Sequence, residues 1–354
     1  MTKPILAAIL SVSSTVLTDD EKRLLETFNP LGVSLFKRNL NNKEQICTLI
    51  QQIKEIIGRD DVLIALDEEG GRVNRLKSAG FNDYASQKLL GQINRLNITR
   101  MHAELISADM TSVGANFNFA PCLDIEYPTT TNALKTRSFG RGVQKISKHG
   151  KILWQTYQKN GVCPCMKHLP GHGRARTDPH LGLPVLDSSL KDLNRDFKPF
   201  IENKNCPAAM TAHILIPEID PKNPVTMSKK AIGHIIRGIM DYQGFLVSDA
   251  LEMHALKGRI EERVYTALNA GVDAVCYCLG DLNGLKEVCQ TKKYLSDDAL
   301  TRFHKIRDIF IQHNAQTNLD LLKQTYYAKL NLLKEQTVCY DATEVLFQLQ
   351  KGMS

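Results

Sequence analysis

The feature that most restricts the fold of this chain is an eightfold alternation of short apolar segments with amphipathic helical ones. Strands of a parallel sheet are covered on both faces, so they form nearly continuous hydrophobic runs, as these apolar segments do. Eight such strands alternating with helices predict an α/β fold, a (β/α)8 barrel of the TIM type. The predicted strands are 5–11, 32–36, 61–66, 114–121, 162–166, 207–213, 244–249 and 273–278.

An open, doubly wound sheet is the other arrangement that alternates strands with helices. It is disfavoured, because no G-x-G-x-x-G fingerprint of a dinucleotide site follows the first strand. Residues 1–295 are therefore predicted to form one catalytic barrel. Residues 296–354 are polar and helical in pattern, so we expect helices packed on the barrel, with no chemistry of their own.

Charged and imidazole side chains stand at or beyond the carboxyl ends of the predicted strands. In a (β/α)8 barrel these ends converge on one face, and active sites are built there. Residues that are distant in the sequence are thus expected to share one pocket. They are Asp67, Arg75, Arg137, Lys167, His168, His213 and Asp249, although His213 could equally be a buried structural histidine.

The segment 167–180 concentrates groups that can carry chemistry. It contains His168, His172 and His180, three of the ten histidines of the chain, and Asp178 stands two residues before the last of them. Gly and Pro interrupt regular structure here, so the polar groups are presented by a loop. The loop is either a solvated connector or a catalytic element, and its imidazoles beside an acid favour catalysis.

The composition is that of an ordinary globular protein, with 43% hydrophobic and 23% charged residues, which excludes disordered and fibrous classes. The net charge of +7 comes without a basic block interleaved with aromatics, so no nucleic-acid partner is expected. An anionic small substrate would suit this charge. Nine cysteines without C-x-x-C spacing indicate buried thiols in a reducing compartment and no metal site.

The amino-terminal apolar run at 5–10 superficially resembles a signal peptide. It is short, however, and leads into Thr18 and Glu21, which have the spacing of a helix capping box. A first strand followed by a helix explains both features. No run approaches the roughly 20 apolar residues that span a bilayer, so no membrane association is expected.

Five motifs resemble those of glycoside hydrolase family 3, and more narrowly those of its bacterial single-domain β-N-acetylglucosaminidases. They lie between residues 5 and 280, over most of the predicted barrel. The motifs are Asp67-x-Glu69-Gly70-Gly71-Arg72-Val73-x-Arg75, Arg137-Ser138-Phe139-Gly140, Lys167-His168-x-Pro-Gly-His172-Gly, Asp178-x-His180 and Ser248-Asp249-x-Leu251-x-Met253.

The resemblance implies a retaining β-hexosaminidase that forms a covalent glycosyl-enzyme and needs no cofactor. Asp249 is then the nucleophile, although taken alone it could simply cap a helix. His180 is then the acid/base, oriented by Asp178, and imidazole suits this role because it titrates near neutrality. The residues in the family's sugar-binding positions are Asp67, Arg75, Arg137, Lys167 and His168, and His213 is expected to line the pocket.

The chain departs from the family pattern at a few positions that spare the proposed catalytic groups. Thr136 and Ala250 stand where the family usually has Asp. The loop carries Arg174 and Arg176 in place of small residues, and Pro179 in place of Ser. These changes bear on the closing geometry of the loop and on the identity of the aglycone.

The resemblance implies removal of terminal β-linked GlcNAc from peptidoglycan turnover fragments, GlcNAc-1,6-anhydro-MurNAc with or without peptide, by a cytoplasmic enzyme that we expect to be a monomer. Three alternatives stay open. A family 3 β-glucosidase typically takes its acid/base from a second domain, for which the sequence shows no pattern. A phosphorylase would use phosphate in place of water, and an inactive sugar-binding barrel would bind without turnover.

The loop is predicted to move. Lys167 and His168 stand at the rigid strand end, whereas Asp178 and His180 follow Gly and Pro hinges. We therefore expect a flap that closes to deliver the proton, with His180 away from Asp249 when no ligand is bound.

Overall fold

Eight parallel strands close into a barrel in the computed structural model, which describes residues 3–311 and 319–330. All eight predicted strands are present, which confirms the (β/α)8 fold class. The strands are β1 Leu6–Leu10, β2 Pro30–Ser34, β3 Leu63–Leu66, β4 Glu68–Gly70, β5 Val73–Asn74, β6 Phe117–Asn118, β7 Cys163–Leu169, β8 Ala208–Thr211, β9 Phe245–Ala250 and β10 Ala274–Cys276. The barrel order is β1-β2-β3-β6-β7-β8-β9-β10, while β4 and β5 form a separate antiparallel hairpin.

Helices alternate with these strands along the chain. They are α1 Asp19–Phe28, α2 Lys43–Ile57, α3 Gln87–Ile93, α4 Leu96–Val113, α5 Val143–Lys159, α6 Leu190–Glu202, α7 Lys229–Ala231, α8 Ile260–Ala270, α9 Leu282–Gln290, α10 Asp297–Ile311 and α11 Leu319–Leu330. A π-helical segment, Ile232–Ile239, continues α7, and short 3-10 turns occupy Lys37–Asn39, Leu76–Ala79 and Val225–Met227. The predicted helical region 296–354 is represented by α10 and α11, and its parts at 312–318 and 331–354 lie outside the described residues.

The continuous apolar character of the strands follows from burial on both faces. In β3, Leu63 and Ala65 belong to the cluster inside the barrel, whereas Ile64 and Leu66 belong to the cluster between strands and helices. This alternation is the two-residue period of a strand. Both faces are therefore apolar, as the sequence pattern predicts.

The cysteines behave as small apolar residues. Cys163, Cys165 and Cys276 lie in the interior cluster and are fully buried. All eight cysteines in the described residues are free thiols, and Cys339 lies outside those residues.

The first strand and helix confirm the interpretation of the amino-terminal segment. The hydroxyl of Thr18 accepts from the Glu21 N–H, and the Glu21 carboxylate accepts from the Thr18 N–H at 2.8 Å. This reciprocal pair is the predicted capping box. Among the helices that the structure describes, none combines the length and apolar character needed to cross a membrane.

The helical segment between β5 and β6 is divided into two helices, α3 and α4. Asn94 ends α3 with a left-handed backbone, φ 52°, which asparagine tolerates better than most residues. A Cβ on Gly91 would lie 2.0 Å from the Phe139 carbonyl oxygen. The glycine therefore lets α3 pack directly on the loop that carries Arg137.

Helix α10 closes the amino-terminal end of the barrel. Phe303 and Ile306 join the interior cluster, and the Phe303 ring lies 6.5 Å from that of Phe245 at the start of β9. Arg302 donates to the Asp273 carboxylate at 2.7 Å, immediately before β10. The helix thus fills the barrel floor, and the carboxyl ends of the strands stay open.

Helix α11 supports the β4–β5 hairpin from outside the barrel. The buried Tyr326 hydroxyl lies 2.8 Å from His102 Nδ1 and accepts from the Ala85 N–H at 3.2 Å. Ala85 in turn packs against Gly70, where a Cβ would lie 2.1 Å from its carbonyl oxygen. The contact chain runs from α11 to the hairpin that follows β3.

Replacing Phe303 with alanine should lower the free energy of unfolding by about 3–5 kcal/mol, because it opens a cavity in the barrel floor. Chemical denaturation of Phe303→Ala and wild type measures the difference. Lys305→Ala, an exposed position on the same helix, is the control and should change stability by less than about 0.5 kcal/mol. A similarly small effect of Phe303→Ala would contradict the role of α10 as the floor.

Candidate active site

The predicted site residues gather in one cleft at the carboxyl ends of the strands. The part of the cleft wall that was predicted consists of Asp67, Arg75, Arg137, Lys167, His168, Asp178, His180 and Asp249. Further residues of the wall, to which the sequence assigned no contact with substrate, include Phe36, Arg72, Phe119, His172, Met210, Met253, Cys276 and Cys278. The cleft therefore combines apolar surface with a few charged and imidazole groups, as small-molecule sites do.

A network of buried charges surrounds Lys167 at the end of β7. Its ammonium nitrogen lies 2.7 Å from Asp67 Oδ1 and 2.6 Å from Glu69 Oε1. Arg137 forms a fork on Glu69, with Nη2 2.8 Å from Oε1 and Nε 3.0 Å from Oε2. Arg75 Nη2 lies 3.4 Å from Asp67 Oδ2. Two carboxylates thus hold three cations in fixed positions.

The network keeps its members ionised although they are buried. Burial alone would raise the pKa of Glu69, but Arg137 and Lys167 lower it to about 2. Burial likewise opposes the charge of Asp67, yet Lys167 and Arg75 hold its pKa below the ordinary value. For Lys167, burial is outweighed by the two carboxylates, which raise its pKa.

His168 is oriented by a carboxylate behind it. Its Nδ1 lies 2.7 Å from Asp124 Oδ2, so Nδ1 carries the proton and donates. Its Nε2 then faces Arg137 Nη2 at 3.4 Å. Burial would raise the pKa of Asp124, but His168 and His172 lower it to about 2. Asp124 therefore fixes both the tautomer and the ring orientation of His168.

Asp249 is the one residue of β9 that is partly exposed, while its five companions in the strand are buried. Its Oδ1 accepts from the Ala250 N–H at 2.8 Å. Burial would raise its pKa, but the nearby His168 and His213, together with this hydrogen bond, lower it. The result is a carboxylate on a rigid strand end that faces the cleft.

Asp178 and His180 form a local pair in the loop after β7. Asp178 Oδ1 lies 2.7 Å from His180 Nδ1 and also accepts the His180 N–H at 3.0 Å. The buried His180 Nε2 has no hydrogen-bond partner in the described part of the chain. One imidazole nitrogen is thus held by the acid, and the other is available inside the cleft.

The loop that carries His180 reaches the cleft, because Pro179 and His180 line the same space as Asp249. The closing movement of this loop stays a prediction. The Pro179 carbonyl accepts from the Ala255 N–H at 3.0 Å, which fastens the loop to the segment after β9.

His213 is not among the residues that line the cleft, and its position corresponds to the alternative of a buried structural histidine. It is fully buried, with Nδ1 2.8 Å from the Thr226 hydroxyl and Nε2 2.9 Å from the Ala250 carbonyl oxygen. The parallel register, in which Thr211 pairs with Ser248, brings it beside Ala250. Its place is behind the strand that carries Asp249.

Arg72, a motif residue to which the sequence assigned no role, contacts Thr136, one of the positions at which the chain departs from the resembled family pattern. Its Nε donates to the Thr136 hydroxyl at 3.1 Å, at the position where the family usually has Asp. Its Nη2 also donates to the carbonyls of Asn132 and Ala133. An oxygen acceptor for Arg72 is thus retained although the charge is lost. Glu69 and Asp124 are two further members of the site to which the sequence assigned no role. Their positions within or near the recognised motifs were the only sequence signal that could have identified them.

Cys122, Asp124 and His168 offer donor atoms within 4.8 Å of one another. Asp124 Oδ2 already accepts from His168 Nδ1 and from the Cys122 thiol at 3.2 Å, and Oδ1 accepts from the His172 N–H at 2.6 Å. Burial raises the pKa of the Cys122 thiol well above its ordinary value, so the thiol keeps its proton. The group is satisfied as a hydrogen-bonded cluster that orients His168.

Comparison with known families identifies the class of this barrel. The model of the glycosyl hydrolase family 3 N terminal domain matches residues 7–305, so the chain belongs to glycoside hydrolase family 3. Within it, the chain is similar to proteins named beta-hexosaminidase. The one from Bordetella pertussis is 33% identical over 297 residues, 79% of this chain and 83% of the relative. The one from Idiomarina loihiensis is 31% identical over 278 residues, 76% and 83% of the two chains.

Solved structures agree with this placement. NagZ from Neisseria gonorrhoeae, in complex with N-trifluoroacetyl-D-glucosamine, has a TM-score of 0.80 at 27% identity, covering 93% of this chain and 97% of that one. A family 3 β-N-acetylglucosaminidase from a Paenibacillus species has a TM-score of 0.82 at 26% identity, covering 91% and 67%. The prediction of a family 3 glycoside hydrolase is thereby confirmed.

Glu68 stands between Asp67 and Glu69 in the sequence but differs from them in protonation state. It is buried, with Oε1 accepting from the Leu76 N–H at 2.6 Å and Oε2 without a partner in the described residues. Burial raises its pKa to about 8. Glu68 therefore carries a proton at neutral pH, and as a neutral group it connects the β4–β5 hairpin to the turn that begins at Leu76.

This raised pKa predicts a specific pH dependence of stability. Between about pH 5 and 8 the folded chain keeps the Glu68 proton that the unfolded chain has lost. The contribution of Glu68 to the free energy of unfolding therefore falls by about 1.4 kcal/mol for each unit by which the pH rises. Glu68→Gln, which mimics the protonated acid, should remove this contribution in denaturation curves taken at pH 6, 7 and 8. Glu44→Gln at an exposed position is the control. Parallel pH profiles for Glu68→Gln and wild type would refute a protonated Glu68.

Proposed function

We propose that this protein is a retaining exo-β-N-acetylglucosaminidase. Its substrates are peptidoglycan turnover fragments, GlcNAc-1,6-anhydro-MurNAc with or without peptide, and it acts as a monomer in the cytoplasm. The observation that carries the proposal is the cleft itself, in which Asp249 on a strand end and the unpaired His180 Nε2 line one space.

Asp249 is the nucleophile. Its lowered pKa keeps it ionised, and its strand position aims it into the cleft. In the first step its oxygen attacks the anomeric carbon while the bond to the leaving oxygen breaks. The transition state resembles an oxocarbenium ion, which the carboxylate charge stabilises, and the product is a glycosyl ester on the enzyme.

His180 is the acid and then the base. As an imidazolium it gives the Nε2 proton to the leaving oxygen in the first step. The neutral Nε2 then takes a proton from water, whose oxygen attacks the anomeric carbon and frees Asp249, so the β configuration is retained. Asp178, at 2.7 Å from Nδ1, holds the tautomer and stabilises the positive charge.

The buried charge network binds the sugar. Lys167, Arg137, Arg75, Asp67 and His168 present donors and acceptors at fixed positions for hydroxyl groups. The network is already paired without substrate, so sugar hydroxyls join existing hydrogen bonds and the charges need little rearrangement. Such preorganisation supports tight positioning of the reacting carbon.

The N-acetylglucosamine specificity draws support from the relatives. Curated relatives are named beta-hexosaminidase, and NagZ from Neisseria gonorrhoeae was solved with N-trifluoroacetyl-D-glucosamine. Water as the acceptor distinguishes the proposal from a phosphorylase. Wild-type turnover is expected to be the same with and without added phosphate.

The assignment of roles predicts two distinct kinetic defects on an aryl β-N-acetylglucosaminide. Asp249→Ala should abolish turnover, because no covalent intermediate can form. His180→Ala should lower kcat/KM, which reports the step in which the phenol leaves, roughly 10²–10⁴-fold. This loss of kcat/KM should shrink when the aryl leaving group is a more acidic phenol, since such a group departs without a proton.

The exposed His234→Ala variant is the control and should keep wild-type rates. Stability of each variant is checked by thermal unfolding. A His180→Ala enzyme with wild-type kcat/KM, or an equal loss of kcat/KM for acidic and weakly acidic phenols, would contradict the acid/base role.

A further inference from the structure

His172, in the loop after β7, forms part of the cleft wall but enters no step described above. The residue is only 3% exposed, and its backbone N–H donates to Asp124 Oδ1 at 2.6 Å. The backbone hydrogen bond fixes where the ring stands.

The ring of His172 is distinctive in its lack of partners. Neither Nδ1 nor Nε2 has a hydrogen-bond partner in residues 3–311 and 319–330. The other four buried histidines in these residues each pair at least one ring nitrogen with a protein atom; they are His102, His149, His168 and His213. A buried polar group without a partner opposes folding, so its presence calls for a reason outside stability.

The His172 ring belongs to the same cleft wall as a group proposed to hold the sugar and the group proposed to attack it. Its centroid lies 5.9 Å from that of His168, edge to face. His168, His172 and Asp249 all line this cleft, so a sugar bound beside His168 and Asp249 can reach the His172 ring.

The protonation state restricts what the ring can bind. Burial, and then His168, lower the pKa of His172 to about 4. At neutral pH the ring therefore has one N–H donor and one lone pair and no charge. A hydroxyl group, which both donates and accepts, can pair with either ring nitrogen, whereas a carboxylate can only accept from the N–H and a cation can only donate to the lone pair.

We infer that His172 is a substrate-positioning residue, one of whose unpaired imidazole nitrogens hydrogen-bonds a hydroxyl group of the sugar that Asp249 attacks. The inference rests on the proposed function and adds one contact to it. It implies that this hydroxyl and the His172 ring are energetically coupled, which a purely structural histidine would not be.

The test is a cycle of enzyme and substrate changes. Wild type and His172→Phe, which keeps a ring of similar size without nitrogens, are assayed on aryl β-N-acetylglucosaminide and on its 3-, 4- and 6-deoxy analogues. His172→Phe should lower kcat/KM roughly 10–100-fold on the full substrate. One deoxy analogue should react equally poorly with both enzymes, because its contact is already missing.

A structural role predicts another pattern. His172→Phe would then lose the same factor on all four substrates, and that result, or an unchanged kcat/KM, overturns the inference. His234→Phe at an exposed position is the control for the substitution itself.

Two further measurements keep the inference separate from folding and from the proposed function. In wild type labelled with ¹⁵N-histidine, the His172 ring signals should shift on addition of GlcNAc, and unshifted signals would overturn the inference even if His172→Phe fails to fold. If wild type binds GlcNAc but has no turnover, the proposed function fails. A weaker GlcNAc affinity of His172→Phe by calorimetry would still support the contact, and an equal affinity or no binding by wild type would overturn it.

Discussion

The ion network around Lys167 is the interaction on which the site depends. Two carboxylates, Asp67 and Glu69, neutralise three cations only in part, and all five side chains are largely buried. Removing one member would leave a buried charge without its partner, which typically costs about 3–5 kcal/mol. The network therefore ties the end of β3, the end of β7 and the loop of Arg137 into one geometry.

The other parts of the site are built around this fixed centre with different degrees of support. Asp249 ends a barrel strand and is backed by the His213 contact to Ala250, so its position is set by the core. His180 depends on a local pair with Asp178 and on one backbone hydrogen bond of Pro179. A rigid nucleophile with an acid/base on a loop suits a reaction in which the acid/base serves two different oxygens in turn.

The sequence was sufficient for the strands and for bringing eight of the nine predicted site residues to one cleft, because strand periodicity and convergence of strand ends are local and topological properties. It was not sufficient for side-chain direction. His213 turns to Thr226, a partner 13 residues away, and α3 packs through Gly91 on a loop that is distant in the sequence. The position of the His180 loop and the role of Glu69 likewise depend on partners that only the fold brings near.

The central claim is that Asp249 becomes covalently glycosylated. The most direct measurement is mass spectrometry of the enzyme treated with a 5-fluoro-N-acetylglucosaminyl fluoride. Its ring fluorine destabilises the oxocarbenium-like transition states, and its fluoride leaves without needing the acid, so the intermediate accumulates. The account predicts one fluorosugar on the peptide that contains Asp249. A label on another carboxylate, or continued hydrolysis without any adduct, would contradict it.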